Sequence, residues 1–200
     1  MAIKITFAIT YWQKDAVLAQ KSAAALKQLY PAAQVLVIED NPRLKLAQFG
    51  GQWTERWMTQ ALATGADVIV KLDPDTRALR PASFPTADIF GVISPVGTYY
   101  PKSTGILSGG AIGFQAAVVE KILASGLLRD AKYTTKPYAT EERRHGTPRE
   151  QIALQDPIVH DIATRLSLNE GQWPGPHIKF SWEPAQKAPA SATFAHPVKD

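Results

Sequence analysis

The chain has 200 residues, 45% hydrophobic and 20% charged. That is enough for one domain that buries roughly 70% of its unfolded surface and needs no staple to hold a core. It has no cysteine, which excludes a disulfide framework, zinc–thiolate sites and a thiol nucleophile and suits a reducing, cytoplasmic setting. The formal charge of +4 comes from scattered Lys and Arg with no basic stripe among aromatics, a bias toward anionic small ligands and against nucleic acid.

The N-terminal "MAIKITFAITYW" is too short and interrupted for a signal segment, and no run of 18 apolar residues predicts a transmembrane helix. "IKITFAIT" (3–10) alternates and is β-branched, a first strand. "KDAVLAQKSAAALKQLY" (14–30) carries apolar residues at helical spacing and stops at Pro31. "AQVLVIED" (33–40) is a continuous apolar run, predicting a strand buried on both faces. "GQWTERWMTQALATG" (51–65) predicts a helix closed by Gly65. "ADVIVKLD" (66–73) is a third strand, so the β-α-β-α-β order predicts a parallel sheet with right-handed crossovers.

The pattern then loosens. Residues 85–95 and the glycine-interrupted 104–115 read as strands, and "AAVVEKILASG" (116–126) reads as a helix. Residues 129–150 are polar with two prolines, predicting a long mobile loop. "QIALQDPIVHDIATRL" (151–166) is helical around Pro157, which kinks the helix or sits at its first position after Asp156. Residues 169–190 are Pro/Gly/Trp-rich coil, and "SATFAHPVKD" ends the sequence. The whole is expected to be a single domain, 1–80 forming one half and 81–200 the other.

In open parallel sheets ligands bind at the carboxyl ends of the strands. The three predicted strands end in Thr10, Tyr11 and Trp12, in Glu39 and Asp40, and in Asp73-Pro74-Asp75. An edge carrying four carboxylates suits a hard divalent cation or the hydroxyls of a sugar or ribose. Asp-Pro-Asp also reads as a plain turn, with Asp at its start and Pro inside it. Asp40-Asn41-Pro42 reads equally as an Asx-turn.

The stretch "GQWTERWMTQALATGADVIVKLDPDT" resembles the segment of A-type-fold glycosyltransferases that carries a helix arginine and an Asp-x-Asp motif after a buried strand. The resemblance implies an α/β fold with a Rossmann-like N-terminal nucleotide-binding half (1–80), a mixed sheet, and an acceptor half (81–200). It implies that Asp73 and Asp75 bind Mn²⁺ or Mg²⁺ on the diphosphate of a nucleotide-sugar. Arg56 takes the place of the family's diphosphate-facing arginine, with an exposed arginine paired to Glu55 or solvent as the other reading. Thr10, Tyr11, Glu39 and Asp40 take the nucleoside-binding places.

In the second half "SGGAIGF" (108–114) is similar to the small-residue strand lining the donor pocket, so Gly109 and Gly110 are donor-site candidates; close packing is the other reading. "LQDPIVHDIATRL" is similar to the helix opening with the general base of inverting members, which assigns that role to Asp156; a helix-start acid is the alternative. The terminal His-Pro-x-Lys is similar to the late histidine and lysine of metal-dependent members, making His196 a metal ligand and Lys199 a diphosphate contact. Mixed carboxylate and imidazole donors favour Mn²⁺ over Ca²⁺. Tyr99, Tyr100 and Trp173 are candidates for stacking on sugar or base, or for the core.

The expected function is metal-dependent transfer of a sugar from a nucleoside-diphosphate-sugar to an acceptor hydroxyl. Inversion follows from a base at Asp156; without one, retention stays open. The rivals are a non-catalytic nucleotide- or carbohydrate-binding protein of the same fold and a haloacid-dehalogenase-like phosphatase. The phosphatase motif belongs on the first strand, with its Thr one residue later than Thr76. A nucleotidyltransferase would need a glycine-rich loop after strand one, which the sequence lacks.

Overall fold

The computed structural model describes residues 2–11, 13–39, 46–94, 106–134, 155–173, 179–180 and 192–196. Its first half is the expected β-α-β-α-β unit. β1 (Ile5–Tyr11) sends Phe7 and Ile9 to one side and Ala8 to the other, all fully buried. After a 3₁₀ turn at Gln13–Asp15, α1 (Ala16–Leu29) buries Ala19, Ser22, Ala23 and Leu26, the i, i+3, i+4, i+7 stripe of an amphipathic helix. It stops before Pro31, with the Tyr30 amide still bonded to the Leu26 carbonyl at 2.8 Å.

β2 (Gln34–Glu39) and β3 (Val68–Leu72) both lie parallel to β1. Between them α2 (Leu46–Leu62) buries Trp53, Trp57, Met58 and Ala61 against the sheet. Gly65, at φ 70°, ends it as expected, taking the left-handed conformation that a side chain disfavours. Two expectations need correction. β2 is an edge strand, half-covered rather than buried on both faces. α2 begins before Gly51, and this glycine is internal because a Cβ there would lie 2.1 Å from the Leu128 carbonyl oxygen.

β4 (Arg77–Ala78) is a two-residue strand. β5 (Ile89–Ser94) and the ten-residue β6 (Ile106–Gln115) follow; β6 runs antiparallel to both β3 and β5, with an irregularity between Phe90 and Val92. α3 (Ala116–Ala124) leads to a 3₁₀ turn at Leu127–Arg129 and to α4 (Ala131–Thr134). Arg129 and residues 131–134 therefore belong to helical turns and not to the loop expected from 129 onward; 135–150 lie outside the described residues. α5 (Gln155–Arg165) precedes β7 (Glu170–Gln172), which pairs parallel to β5. β7, with β8 (Lys179–Phe180), interrupts the expected coil at 169–190. β9 (Phe194–His196) ends the described chain.

The six-stranded mixed sheet has the order β2-β1-β3-β6-β5-β7, and β4, β9 and β8 make a second, three-stranded sheet. Residues of α2, α3, α4 and α5 build the core on one face of the large sheet; α1, Trp173 and the small sheet build the other. The fold is α/β with a Rossmann-like parallel N-terminal half. Among the described residues no helix is long and apolar enough to cross a membrane.

Candidate metal centre

β3 is central, flanked by β1 and β6, and all five of its residues are buried. Residues two apart on a strand share a side, so the strand that carries Lys71 delivers Asp73 on the same side as it emerges. There the chain turns at once. The Thr76 amide donates to the Asp73 carbonyl at 3.0 Å, closing a four-residue turn with Pro74 in its second position. The turn reading and the ligand reading of Asp73-Pro74-Asp75 thus hold together, since the turn aims the carboxylates.

Three bonds fix this turn. The Asp73 amide donates to the Gly110 carbonyl of β6 at 3.3 Å. The buried Thr76 hydroxyl donates to the same carbonyl at 2.6 Å. Ser22 of α1 donates to the Thr76 carbonyl at 2.5 Å. β4 then pairs antiparallel with β9, Arg77 opposite Ala195. That pairing carries His196 over the turn, 120 residues on in sequence.

His196 Nδ1 lies 3.1 Å from Asp75 Oδ1 and 3.1 Å from Thr76 Oγ1, while its Nε2 faces Asp73 Oδ2 at 3.8 Å. Because the Thr76 proton goes to Gly110, its hydroxyl oxygen accepts from the ring. This assigns a proton to Nδ1, so that the ring when neutral carries its lone pair on Nε2, the nitrogen nearer Asp73. A metal-ligating histidine is oriented in this way, its other N–H given to an oxygen. The ring also needs a gap in β6: a Cβ on Gly110 would lie 2.8 Å from His196 Cγ.

Asp73, Asp75 and His196 are all half-buried, and one ligand atom from each falls within 4.8 Å of the others. Two carboxylates and an imidazole, half-buried and converging, fit a divalent cation. Burial pulls the His196 pKa down, but the hydrogen bond to Asp75 and the charges of Asp73 and Asp75 outweigh it and raise the net value. Burial pushes Asp75 up, but the bond to His196, the imidazolium charge and Lys71 bring it below its ordinary value. Asp73 is in addition ion-paired with the Lys71 ammonium.

The chain matches no family model and no curated protein. A solved structure similar to it is that of a glycosyltransferase involved in the glycosylation of the major capsid of PBCV-1. It is 14% identical, with a TM-score of 0.45, over 67% of this chain and 70% of that one.

The remaining predicted residues fall into three groups. Tyr11 and Glu39 meet at the carboxyl end of β1 and β2, where they face each other in register and the Tyr11 hydroxyl donates to Glu39 Oε2 at 3.0 Å. Thr10, beside them, is buried. Asp156 is the second residue of α5. α5 leads down to Glu170, which is level with Ile89 and, through Phe114, with Ile69 near the start of β3. The Asp156 side chain, Gly109 beyond its place in β6, and Asp40, Lys199, Tyr99 and Tyr100 lie outside what is described.

Other candidates are not drawn into this cluster. Arg56 is exposed on α2, and its neighbour Glu55 takes Arg129, at 2.7 Å from Nη2 and 2.9 Å from Nε. Trp173 is a core residue, packed edge-on against Phe90 with its indole N–H on the Ala111 carbonyl, which removes it as a stacking platform. His160 pairs with Glu170 at 3.1 Å, and Asp161 accepts from the buried Tyr133 hydroxyl. The sequence reading missed Lys71, Thr76 and Ser22. A cation inside an otherwise apolar strand, two residues before an aspartate, was the available signal for Lys71.

Proposed function

We propose that this chain transfers a sugar from a nucleoside-diphosphate-sugar to an acceptor hydroxyl, with Asp73, Asp75 and His196 holding a divalent metal on the donor's diphosphate. The observation that carries the reading is the convergence of His196 on an aspartate pair at the carboxyl end of a buried central strand. A metal bound there supplies Lewis-acid stabilisation of the departing diphosphate. The chain's own residues divide the remaining work. Tyr11 and Glu39, with Asp40, offer acceptors and a ring to the nucleoside. Lys199 is a cation for the phosphates. Gly109 leaves room for close approach of the donor on β6, and Gly110 makes room for the His196 ring. Asp156 takes the proton from the acceptor hydroxyl as it attacks the anomeric carbon, and the configuration inverts.

The test is calorimetric titration with a panel of nucleoside diphosphates, with and without Mn²⁺, on wild type and Asp75→Asn. Mn²⁺-dependent binding that disappears in Asp75→Asn is expected. Equal affinity of the two proteins in Mn²⁺ would overturn the metal assignment. Turnover of a nucleotide-sugar then separates the enzyme from a binding protein of the same fold.

A further inference from the structure

Lys71 is a charged residue in the least hospitable part of the fold. It is the fourth residue of β3, 3% exposed, between Ala8 on β1 and Ile112 on β6, both fully buried. A lysine whose stem is enclosed on both sides gains little over an apolar residue of the same length, because burying an ion pair contributes about as much as good apolar packing or less. Stability alone therefore does not account for the charge. Its location does: the ammonium pairs with Asp73 Oδ1, while Asp73 Oδ2 faces His196.

Two consequences follow for a cation bound among Asp73, Asp75 and His196. First, Asp73 has one oxygen to offer and not two, since the other is engaged by Lys71. Second, the charge of the set changes. Two carboxylates with a neutral imidazole carry −2, which a divalent cation alone neutralises. With Lys71 the set carries −1, and the same cation leaves an excess of +1 in a half-buried place. A diphosphate brings the missing negative charge.

Resting on the metal reading above, we infer that Lys71 is a positioning residue that makes cation binding at Asp73, Asp75 and His196 conditional on an anionic phosphate partner. The free ion is held weakly and the ion–diphosphate chelate tightly. At the separations within one carboxylate, and at an effective dielectric near 20, a unit charge beside a divalent cation alters its binding by well over ten-fold.

The test uses Lys71→Met, which keeps the apolar stem and removes the charge, and two probes: Mn²⁺ alone and the preformed Mn²⁺–pyrophosphate complex, each titrated calorimetrically. Lys71→Met should bind Mn²⁺ alone at least ten-fold more tightly than wild type and the pyrophosphate complex at least ten-fold more weakly. Opposite signs are the signature, because a merely structural role would move both probes together. Should Lys71→Met fail to fold, Lys71→Gln serves, and wild type alone carries a further check: Mn²⁺ and pyrophosphate must bind with at least ten-fold positive coupling. Changes of the same sign, no change, or additive binding in wild type overturn the role of Lys71 while leaving the metal site standing. Failure of wild type to bind the Mn²⁺–pyrophosphate complex overturns the metal reading, and this inference with it.

Discussion

Gly110→Ala isolates the geometry of the candidate centre with a single methyl group. The added Cβ would lie 2.8 Å from His196 Cγ and 3.0 Å from both its Cβ and Cδ2. Carbon atoms pack at about 3.5–4.0 Å, so the ring must retreat by about 0.7 Å or more. Metal–ligand distances tolerate about 0.2 Å, and the ring is already tied through Nδ1 to Asp75 and Thr76. Overpacking of this kind costs about 1–3 kcal/mol of stability, and a disturbed ligand orientation typically costs about 10–100-fold in metal affinity. Gly113→Ala is the control. Its Cβ would lie 2.0 Å from Phe90 Cε2, inside the core and away from the histidine. Gly110→Ala should therefore lose Mn²⁺ affinity, measured by calorimetry in the presence of a nucleoside diphosphate, while remaining folded by circular dichroism. Gly113→Ala should lose more stability, and in whatever fraction stays folded keep the affinity. Unchanged affinity in Gly110→Ala would refute the reasoning that His196 must sit where it does.

Three further outcomes are expected. Asp156→Asn should lower kcat by about two orders of magnitude with donor affinity little changed; near-normal turnover would make Asp156 a helix-start acid and favour retention. His160 has its pKa raised by the hydrogen bond to Glu170, against burial, with the Glu170 and Asp161 charges adding to the rise. Its contribution to stability is thus complete below the unfolded value of about 6.5 and is lost as pH rises through the raised folded value. His160→Gln should be less stable than wild type at pH 5.5 by about 1 kcal/mol or less, a gap that closes by pH 9 in urea melts; a gap that widens with pH contradicts the assignment. Tyr133→Phe removes the hydroxyl that donates to Asp161, near the Arg165–Asp130 pair. It should cost about 1–3 kcal/mol in the same melts, and an unchanged midpoint would show that Asp161 is satisfied without it.

What was legible in the sequence follows the range of the interactions involved. The parallel first half could be read because each of its elements declares itself locally: alternation in β1, the small-residue stripe of α1, the apolar β3, the cap at Gly65. The edge position of β2 could not, since an apolar run looks the same whether one or both faces are covered. The small sheet was equally hidden. Arg77–Ala78 and Lys179–Phe180 are two-residue strands that exist only because Ala195 and its neighbours pair with both. Glu55 was read against its neighbour Arg56, yet its partner is Arg129, brought near by the packing of Gly51 on the turn at Leu128. In the candidate site the aspartate pair was visible through its place after a strand. The space that Gly110 leaves for His196 was not, because a glycine's tertiary neighbour leaves no mark on the residues around it. Lys71 was in plain view inside "VIVKL", and the two-residue period that sets it beside Asp73 is a local rule.

The central claim is that Asp73, Asp75 and His196 hold a divalent metal against the diphosphate of a sugar donor. Its most direct test is anomalous diffraction at the manganese edge, from crystals grown with Mn²⁺ and the nucleoside diphosphate that binds most tightly in the titrations. The account predicts one strong anomalous peak, within bonding distance of His196 Nε2, of an oxygen from Asp75, directly or through water of one from Asp73, and of a phosphate oxygen. Diphosphate density with no manganese peak among these three residues, or a peak bound elsewhere, would contradict it.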